Sequence, residues 1–189
     1  ARTRPGAAGP LIDRSWFARD APTVAPDLLG AVLVVERDGN RVAGRIIETE
    51  AYTAHDPASH SFRGRTTRND VMFGPAGRLY VYRSYGIHWC ANVVTGSEGD
   101  GQAVLLRAVD PVEGADEMLR RRGRRPLADG PGKLCQAFGL DGDDDGADLC
   151  GQGPIRILDD GMAPSLRPTV GPRIGINKAV ETPWRFRIS

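Results

Sequence analysis

Residues 28–52 read LLGAVLVVERDGNRVAGRIIETEAY. An apolar run, Leu28–Val35, precedes Asp38-Gly39-Asn40, and a second strand-like run, Arg41–Thr49, follows it. An Asp-Gly step between two such runs marks a β-hairpin, because the central positions of its tight turn need backbone angles that Asp and Gly adopt at low cost. A second hairpin is expected where Leu79–Tyr82 and Ile87–Thr95 flank Arg83-Ser84-Tyr85-Gly86, which places Tyr85 near a tip. Gln102–Val109 reads as another apolar strand, and Pro154–Leu158, Arg173–Ile176 and Arg185–Ile188 read as short late ones. Around them the pattern predicts an amphipathic segment over Asp13–Asp27 ending at Pro26, and a short helix over Thr67–Phe73. It also predicts a helix over Pro111–Arg122, with Pro-x-Glu at its start and arginines at its end as the macrodipole favours, and a further helix over Asp129–Phe138. Asp141–Gly151 is an acidic, glycine-rich loop. Hairpins mixed with separate helices imply an α+β fold around an antiparallel sheet rather than a doubly wound parallel one.

The chain's 189 residues suit one domain, and a composition of 40% hydrophobic and 26% charged residues is that of a globular protein able to bury a core without staples. Residues 1–10 lack the apolar block of a secretory signal and read as a mobile lead-in to a single domain over 11–189. No run reaches the roughly 18 apolar residues of a membrane span. The three cysteines, Cys90, Cys135 and Cys150, are scattered and form no C-x-x-C, which argues against a disulfide framework and a zinc site and for a reducing, intracellular compartment. Net charge is only +1, yet 23 of the 25 basic residues are arginine, leaving Lys133 and Lys178 as the lysines. Six arginines fall between Arg107 and Arg125 while Asp141–Asp148 carries compensating acid, so a near-neutral total can hide a basic face.

All four tyrosines and all three histidines lie between Tyr52 and His88, with Glu48 and Glu50 at the edge of the same region. Polar aromatics beside carboxylates suit a site for a planar ligand: they offer faces to stack on and polar atoms to orient it. Tyr80 and Tyr82, two residues apart, can equally serve to cover the core on one sheet face. In I-I-E-T-E-A-Y, strand alternation puts Glu48 and Glu50 on one face and Ile47 and Thr49 on the other. Two same-side carboxylates repel, unless a cation sits between them, and such tuning is what a general base requires. His55, Asp56 and His60 fit no common metal-ligand spacing. Gly130-Pro131-Gly132-Lys133-Leu134 lacks the Ser or Thr and the glycine spacing of a nucleotide phosphate loop, although a lysine in a helix's first turn can still hold one phosphate.

These residues resemble those of the 3-methyladenine DNA glycosylases of the alkyladenine glycosylase family. The matching blocks are I-I-E-T-E-A-Y (46–52), A-S-H-S (58–61), T-R-N-D-V-M-F (67–73), P-A-G-x-L-Y-V-Y-x-x-Y-G (75–86), C-A-N (90–92), G-D-G-Q-A-V-L-L-R-A (99–108) and G-P-G-K-L-C-Q-A (130–137). R-I-G-I (173–176) and P-W-R-F (183–186) also fit, and the likeness runs from about Leu11 to the end.

The resemblance implies a single compact domain around a curved antiparallel sheet with flanking helices and a protruding, DNA-intercalating β-hairpin. It implies a monofunctional hydrolase that flips alkylated or deaminated purines out of double-stranded DNA and cuts the glycosidic bond without metal or cofactor. Glu50 matches the general base that activates water, and Arg107 the arginine that helps hold both. Tyr52 and His60 match residues lining one side of the flipped base, Tyr82 the aromatic on the other, and Asn92 the asparagine whose bulk disfavours normal guanine. Tyr85 matches the wedge that fills the vacated stack, and Lys133 is the candidate backbone contact. A monomer in the bacterial cytoplasm or nucleoid is the corresponding expectation. Departures are a longer Gly96–Gly101 loop, Ile87 and His88 beside the wedge, and Phe62 after His-Ser. A sugar glycosidase using Glu48 and Glu50 is a poor alternative, because residues two apart on one strand cannot readily flank a bond from opposite sides. A non-catalytic nucleic-acid-binding module of the same fold would keep Tyr85 and the arginines but would not need Glu50.

Overall fold

The computed structural model describes residues 7–162 and 167–188. The first hairpin forms as the Asp-Gly step requires: β1 (Val32–Arg37) and β2 (Asn40–Tyr52) pair antiparallel, and Asp38 and Gly39 between them both have positive φ. At thirteen residues, β2 organises the sheet. One edge pairs first with β1 and then, over Glu48–Glu50, with β8 (Arg185–Arg187). The other edge pairs with β5 (Gln102–Glu113) from Ala43 to Tyr52. The second hairpin, β3 (Leu79–Ser84) and β4 (His88–Thr95), joins β5 through β4. With β6 (Ile155–Leu158) and β7 (Thr169–Gly171), the order is β3-β4-β5-β2-β1-β6, and β8 and β7 branch from β2. Among the described residues all strand pairings are antiparallel, and the sheet curls into a half-barrel, the α+β architecture expected.

Four short helices flank it. The segment expected over Asp13–Asp27 splits into α1 (Arg14–Phe17), capped by the Asp13 carboxylate on the Ser15 N–H, and α2 (Ala21–Asp27), which opens with a proline in its first turn. α3 (Ala115–Arg122) and α4 (Pro131–Phe138) complete the set. Phe17, Leu28, Met118, Leu134 and Phe138 from the helical side bury against Leu33, Val35, Ile46, Leu106 and Val109 of the sheet. The Phe138 ring lies so close over Gly44 that a Cβ there would stand 3.0 Å from it and 2.8 Å from Val109.

Several elements differ from expectation. The helix expected from Pro111 begins only at Ala115, because β5 runs on through Glu113 and Gly114, at φ 74°, turns the chain. Proline is tolerated there because β4 pairs only with Gln102–Leu105, leaving Pro111 on a one-sided stretch of strand. Thr67–Phe73 contains a single 3-10 turn, Asp70–Phe73. Arg173–Ile176 forms no strand: Gly175 has φ 77° and the Arg173 side chain turns inward to an ion pair. Of the lead-in expected over 1–10, residues 1–6 lie outside the described residues, and Ala7 is buried against Val32, Val34, Ala43 and Leu158. The three cysteines are unbridged. Among the described residues no helix is long and apolar enough to cross a membrane.

Phe138→Ala should cost about 3–5 kcal/mol, because it empties a fully buried site under a rigid sheet. Urea unfolding should show a lower midpoint with an unchanged slope, and a loss under about 1 kcal/mol would mean that the core closes over the gap.

Candidate active site

Antiparallel register builds the floor. Tyr80 of β3 opposes Asn92 of β4, Asn92 opposes Leu105 of β5, Leu105 opposes Glu50 of β2, and Glu50 opposes Arg185 of β8. Directly opposed residues share a face, so this row crosses five strands on one side of the sheet. The next row holds Tyr82 opposite Cys90. Arg107 lies at an irregularity: the register passes from Glu48–Ala108 to Thr49–Leu106 and leaves Arg107 unopposed, while Ile47 is skipped on β2. Arg107 is two residues from Leu105 and so shares its face, where it meets both acids. Its Nε donates to Glu48 Oε1 at 2.9 Å, and its terminal nitrogen lies 3.4 Å from Glu50 Oε1. Arg185 Nε also donates to Glu48, at 2.6 Å. The cation that two same-side carboxylates call for is therefore present.

Glu50 is fully buried. Its Oε2 accepts from the Tyr52 hydroxyl at 2.8 Å and its Oε1 from the Ile174 N–H at 2.8 Å. Tyr52, Ile174 and Arg107, the groups that touch it, line a cleft of about 860 Å³. Tyr82, His60 and Asn92 line the same cleft, so the structure gathers the expected base-pocket residues in one place. The His60 ring stands 4.3 Å from that of Tyr82 at 71°, and Tyr82 lies 5.6 Å from Tyr80. Burial of its inner edge, helped by the charge of Arg68, holds the His60 imidazole below its ordinary pKa, although the residue is open to solvent at the cleft mouth. The Asn92 amide donates to the Tyr80 carbonyl at 3.1 Å, which fixes its rotamer.

Tyr80 was left by the sequence as a residue that could merely cover the core. It is buried, yet its hydroxyl meets His60 Nδ1 at 3.0 Å and its ring forms part of the cleft wall. Its position two residues before Tyr82 was the available signal. Ile174, whose backbone holds Glu50, carried no sequence signal of that kind. The H-D-x-x-x-H motif is dispersed: Asp56 pairs with Arg173 and His60 with Tyr80. Among the described residues no group of three or more His, Cys, Asp or Glu could hold a metal ion.

Tyr85 stands at the tip of the second hairpin, 84% exposed. Tyr85 and Gly86 both have positive φ, and the Ile87 N–H closes the turn on the Ser84 carbonyl at 3.0 Å. Left-handed backbone at a tyrosine is uncommon, and the turn keeps it in order to pass between the strands. Arg68, Arg122, Arg124, Lys133 and Lys178 also line the cleft. Lys133 pairs with Asp129 at 2.8 Å, an exposed contact of little stability that a phosphate can replace. Within the Arg120–Arg125 run, Arg120 and Arg121 are engaged by Glu117, while Arg122 and Arg124 reach the cleft.

A buried carboxylate beside an aromatic cleft, with cations in its lining and an exposed tyrosine next to it, suits a planar group carried by a polyanion. Residues 15–189 match the model of the family described as methylpurine-DNA glycosylase (MPG). A protein of Rhodopseudomonas palustris (strain HaA2), named "Putative 3-methyladenine DNA glycosylase", is 51% identical over 96% of this chain and 89% of its own length. Proteins of the same name from Methanoculleus marisnigri and Burkholderia cenocepacia are 52% and 47% identical, over 93% and 95% of this chain and 93% and 88% of their own lengths. The chain belongs to the methylpurine-DNA glycosylase family. It is thereby a hydrolase of N-glycosyl bonds, of the class that repairs alkylated purines in DNA.

Burial raises the phenols of Tyr52 and Tyr82 above their ordinary range, and pushes Tyr80 up to about 12. An unfolded tyrosine ionises near pH 10, so above that pH the unfolded state releases protons that the folded state keeps, and stability falls as pH rises toward and through the folded values. Urea unfolding between pH 9 and 11 should show this decline, and Tyr80→Phe should make it shallower. An identical pH slope in Tyr80→Phe would remove Tyr80 from the effect.

Proposed function

We propose that this chain excises alkylated or deaminated purines, of the 3-methyladenine, 7-methylguanine, hypoxanthine and ethenoadenine class, from double-stranded DNA by flipping the nucleotide into the cleft and hydrolysing its glycosidic bond with a water activated by Glu50. The observation that carries this reading is the Glu50 carboxylate itself, buried directly behind the cleft lining and held by three of its residues, Tyr52, Ile174 and Arg107. The water oxygen bonds to the sugar's anomeric carbon, its proton passes to Glu50, and the base leaves with the electron pair of the broken bond. An N3- or N7-alkylated purine is already cationic and leaves neutral, whereas hypoxanthine needs a proton or hydrogen bonds to depart.

Tyr52, His60 and Tyr82 then flank the base, and aromatic faces attract a cationic ring. Asn92, fixed by Tyr80, stands where bulk would reject guanine's exocyclic amine. Extruding a base costs a few kcal/mol, less for a damaged pair, and the ring of Tyr85 offsets part of this by entering the stack. Lys133, Arg122 and Arg124 serve the phosphates, which position the duplex without reading sequence. The enzyme acts as a monomer, without metal or cofactor, inside the cell where DNA is. Glu48 supplies no second acid: Arg107 and Arg185 both occupy it.

Duplexes carrying hypoxanthine, ethenoadenine or a methylated purine should acquire alkali-labile abasic sites with the wild type, and not with Glu50→Gln, which should still bind DNA. Equal cleavage by Glu50→Gln would defeat the assignment of the base, whereas binding without cleavage by the wild type would leave a binding module as the better reading. Tyr85→Ala should weaken lesion binding by about 1–3 kcal/mol, the usual loss when a base–aromatic stack is removed. Unchanged affinity in that variant would take the wedge role from Tyr85.

A further inference from the structure

We propose that the buried Arg173–Asp56 pair is the positioning device of this site, clamping together the backbone donor, the tyrosine and the loop that surround the Glu50 carboxylate. The inference rests on the reading of Glu50 as the general base.

Arg173 and Asp56 are 117 positions apart in sequence, and their side chains are 0% and 2% exposed. The guanidinium forks onto the carboxylate: one terminal nitrogen donates to Asp56 Oδ2 and the other to Oδ1 at 3.0 Å. The first nitrogen also donates to the Ala51 carbonyl at 3.0 Å, gripping β2 at the residue between Glu50 and Tyr52. The guanidinium carbon lies 4.7 Å from the centroid of the Tyr52 ring and 5.5 Å from that of Trp184. The next residue along the chain, Ile174, donates its N–H to Glu50. At the other end of the pair, Asp56 Oδ1 accepts from the Ala58 N–H at 3.0 Å and shapes the loop that leads to His60. One ion pair thus fixes three approaches to one carboxylate: the irregular segment that carries Ile174, the ring of Tyr52, and the His60 loop.

Stability alone is a poor reason for such a pair. Removing two ions from water is expensive, and apolar residues of similar volume commonly serve a core as well. What the guanidinium supplies and an apolar group cannot is a planar fork with several donors at fixed angles. Residues 172–178 form no strand, so no ladder of backbone hydrogen bonds holds Ile174 at its place over Glu50.

Arg173→Lys and Asp56→Asn test this, the first keeping the charge and the second the shape. Single-turnover excision is measured at saturating enzyme, on a duplex with one hypoxanthine. Titration of that lesion duplex gives both its affinity and the concentration of folded enzyme, so a loss of fold lowers the titrated fraction and not the rate constant. We expect the rate constant to fall roughly ten- to a hundredfold in both variants, the effect of a small displacement at a reacting centre, with affinity changed by less than about threefold. In a Glu50→Gln background, Arg173→Lys should lower any residual rate no further. Wild-type rate constants in either variant, or rescue by lysine's charge alone, would overturn the positioning role while the glycosylase reading stands. Absence of excision by wild type, or full activity of Glu50→Gln, would strike the underlying reading instead.

Discussion

A carboxylate with no solvent exposure needs compensation from the protein, because an unpaired buried ion costs several kcal/mol even after relaxation. Arg107 supplies it for Glu50, and does so while bonded to Glu48. The geometry depends on register. Glu48 and Glu50 share a face because they are two apart on β2, and Arg107 shares it because it is two residues from Leu105, which opposes Glu50 on β5. A slip of one residue would send both acids to the opposite side of the sheet, among Thr49 and the helices. The hydrophobic pattern that excludes such a slip, Ile46 and Leu106 against the helical layer, therefore also holds the candidate site in place.

The walls are made differently from the floor. Five strands supply the row from Tyr80 to Arg185, and ladder hydrogen bonds make that row rigid. Irregular chain supplies His60 and Ile174, which need other anchors. Asn69 donates to the carbonyls of His60 and Gly64, and the Ser61 hydroxyl donates to the carbonyl of Gly101, tying the His60 loop to the start of β5. Gly101 has φ 68° and faces Phe73 so closely that a Cβ would stand 2.7 Å from the ring. The loop after β4 is thus anchored at Gly101 against Phe73 and Ser61, while Ser97–Asp100 stay exposed and none of its residues lines the cleft.

The parts of this arrangement legible in the sequence are those with a local signature. Period-two alternation put Glu48 and Glu50 together, and the Arg-Ser-Tyr-Gly step put Tyr85 at a hairpin tip; both follow from a few adjacent residues. Arg107 entered only through resemblance to a family, because alternation puts it on one face with Ala103 and Leu105 but does not say which residues of another strand it meets. The Arg173–Asp56 pair was illegible for a related reason: pairing across 117 positions has no local pattern, and the run Arg173–Ile176 was instead read as a strand on its apolar residues. Pro111 misled in the opposite direction, since proline before an acidic residue is a sound helix-start signal that the one-sided end of β5 overrides.

Affinity and selection are carried by different parts of the surface. On the proposed reading the rim cations act on phosphates, which are the same in damaged and intact DNA, so their contribution is general and weakens with salt. On the same reading discrimination arises where the base itself is touched, in a cleft where burial raises the phenols and lowers the His60 imidazole from their ordinary pKa values. Neutral aromatic walls do not oppose the entry of a cationic purine as an imidazolium beside it would. A protonated His60 would set a positive charge against the alkylated ring and forfeit the attraction that Tyr82 offers. A lowered His60 pKa thus acts in the same sense as the Glu50 carboxylate, which the Tyr52 hydroxyl, the Ile174 N–H and Arg107 hold beside the cleft.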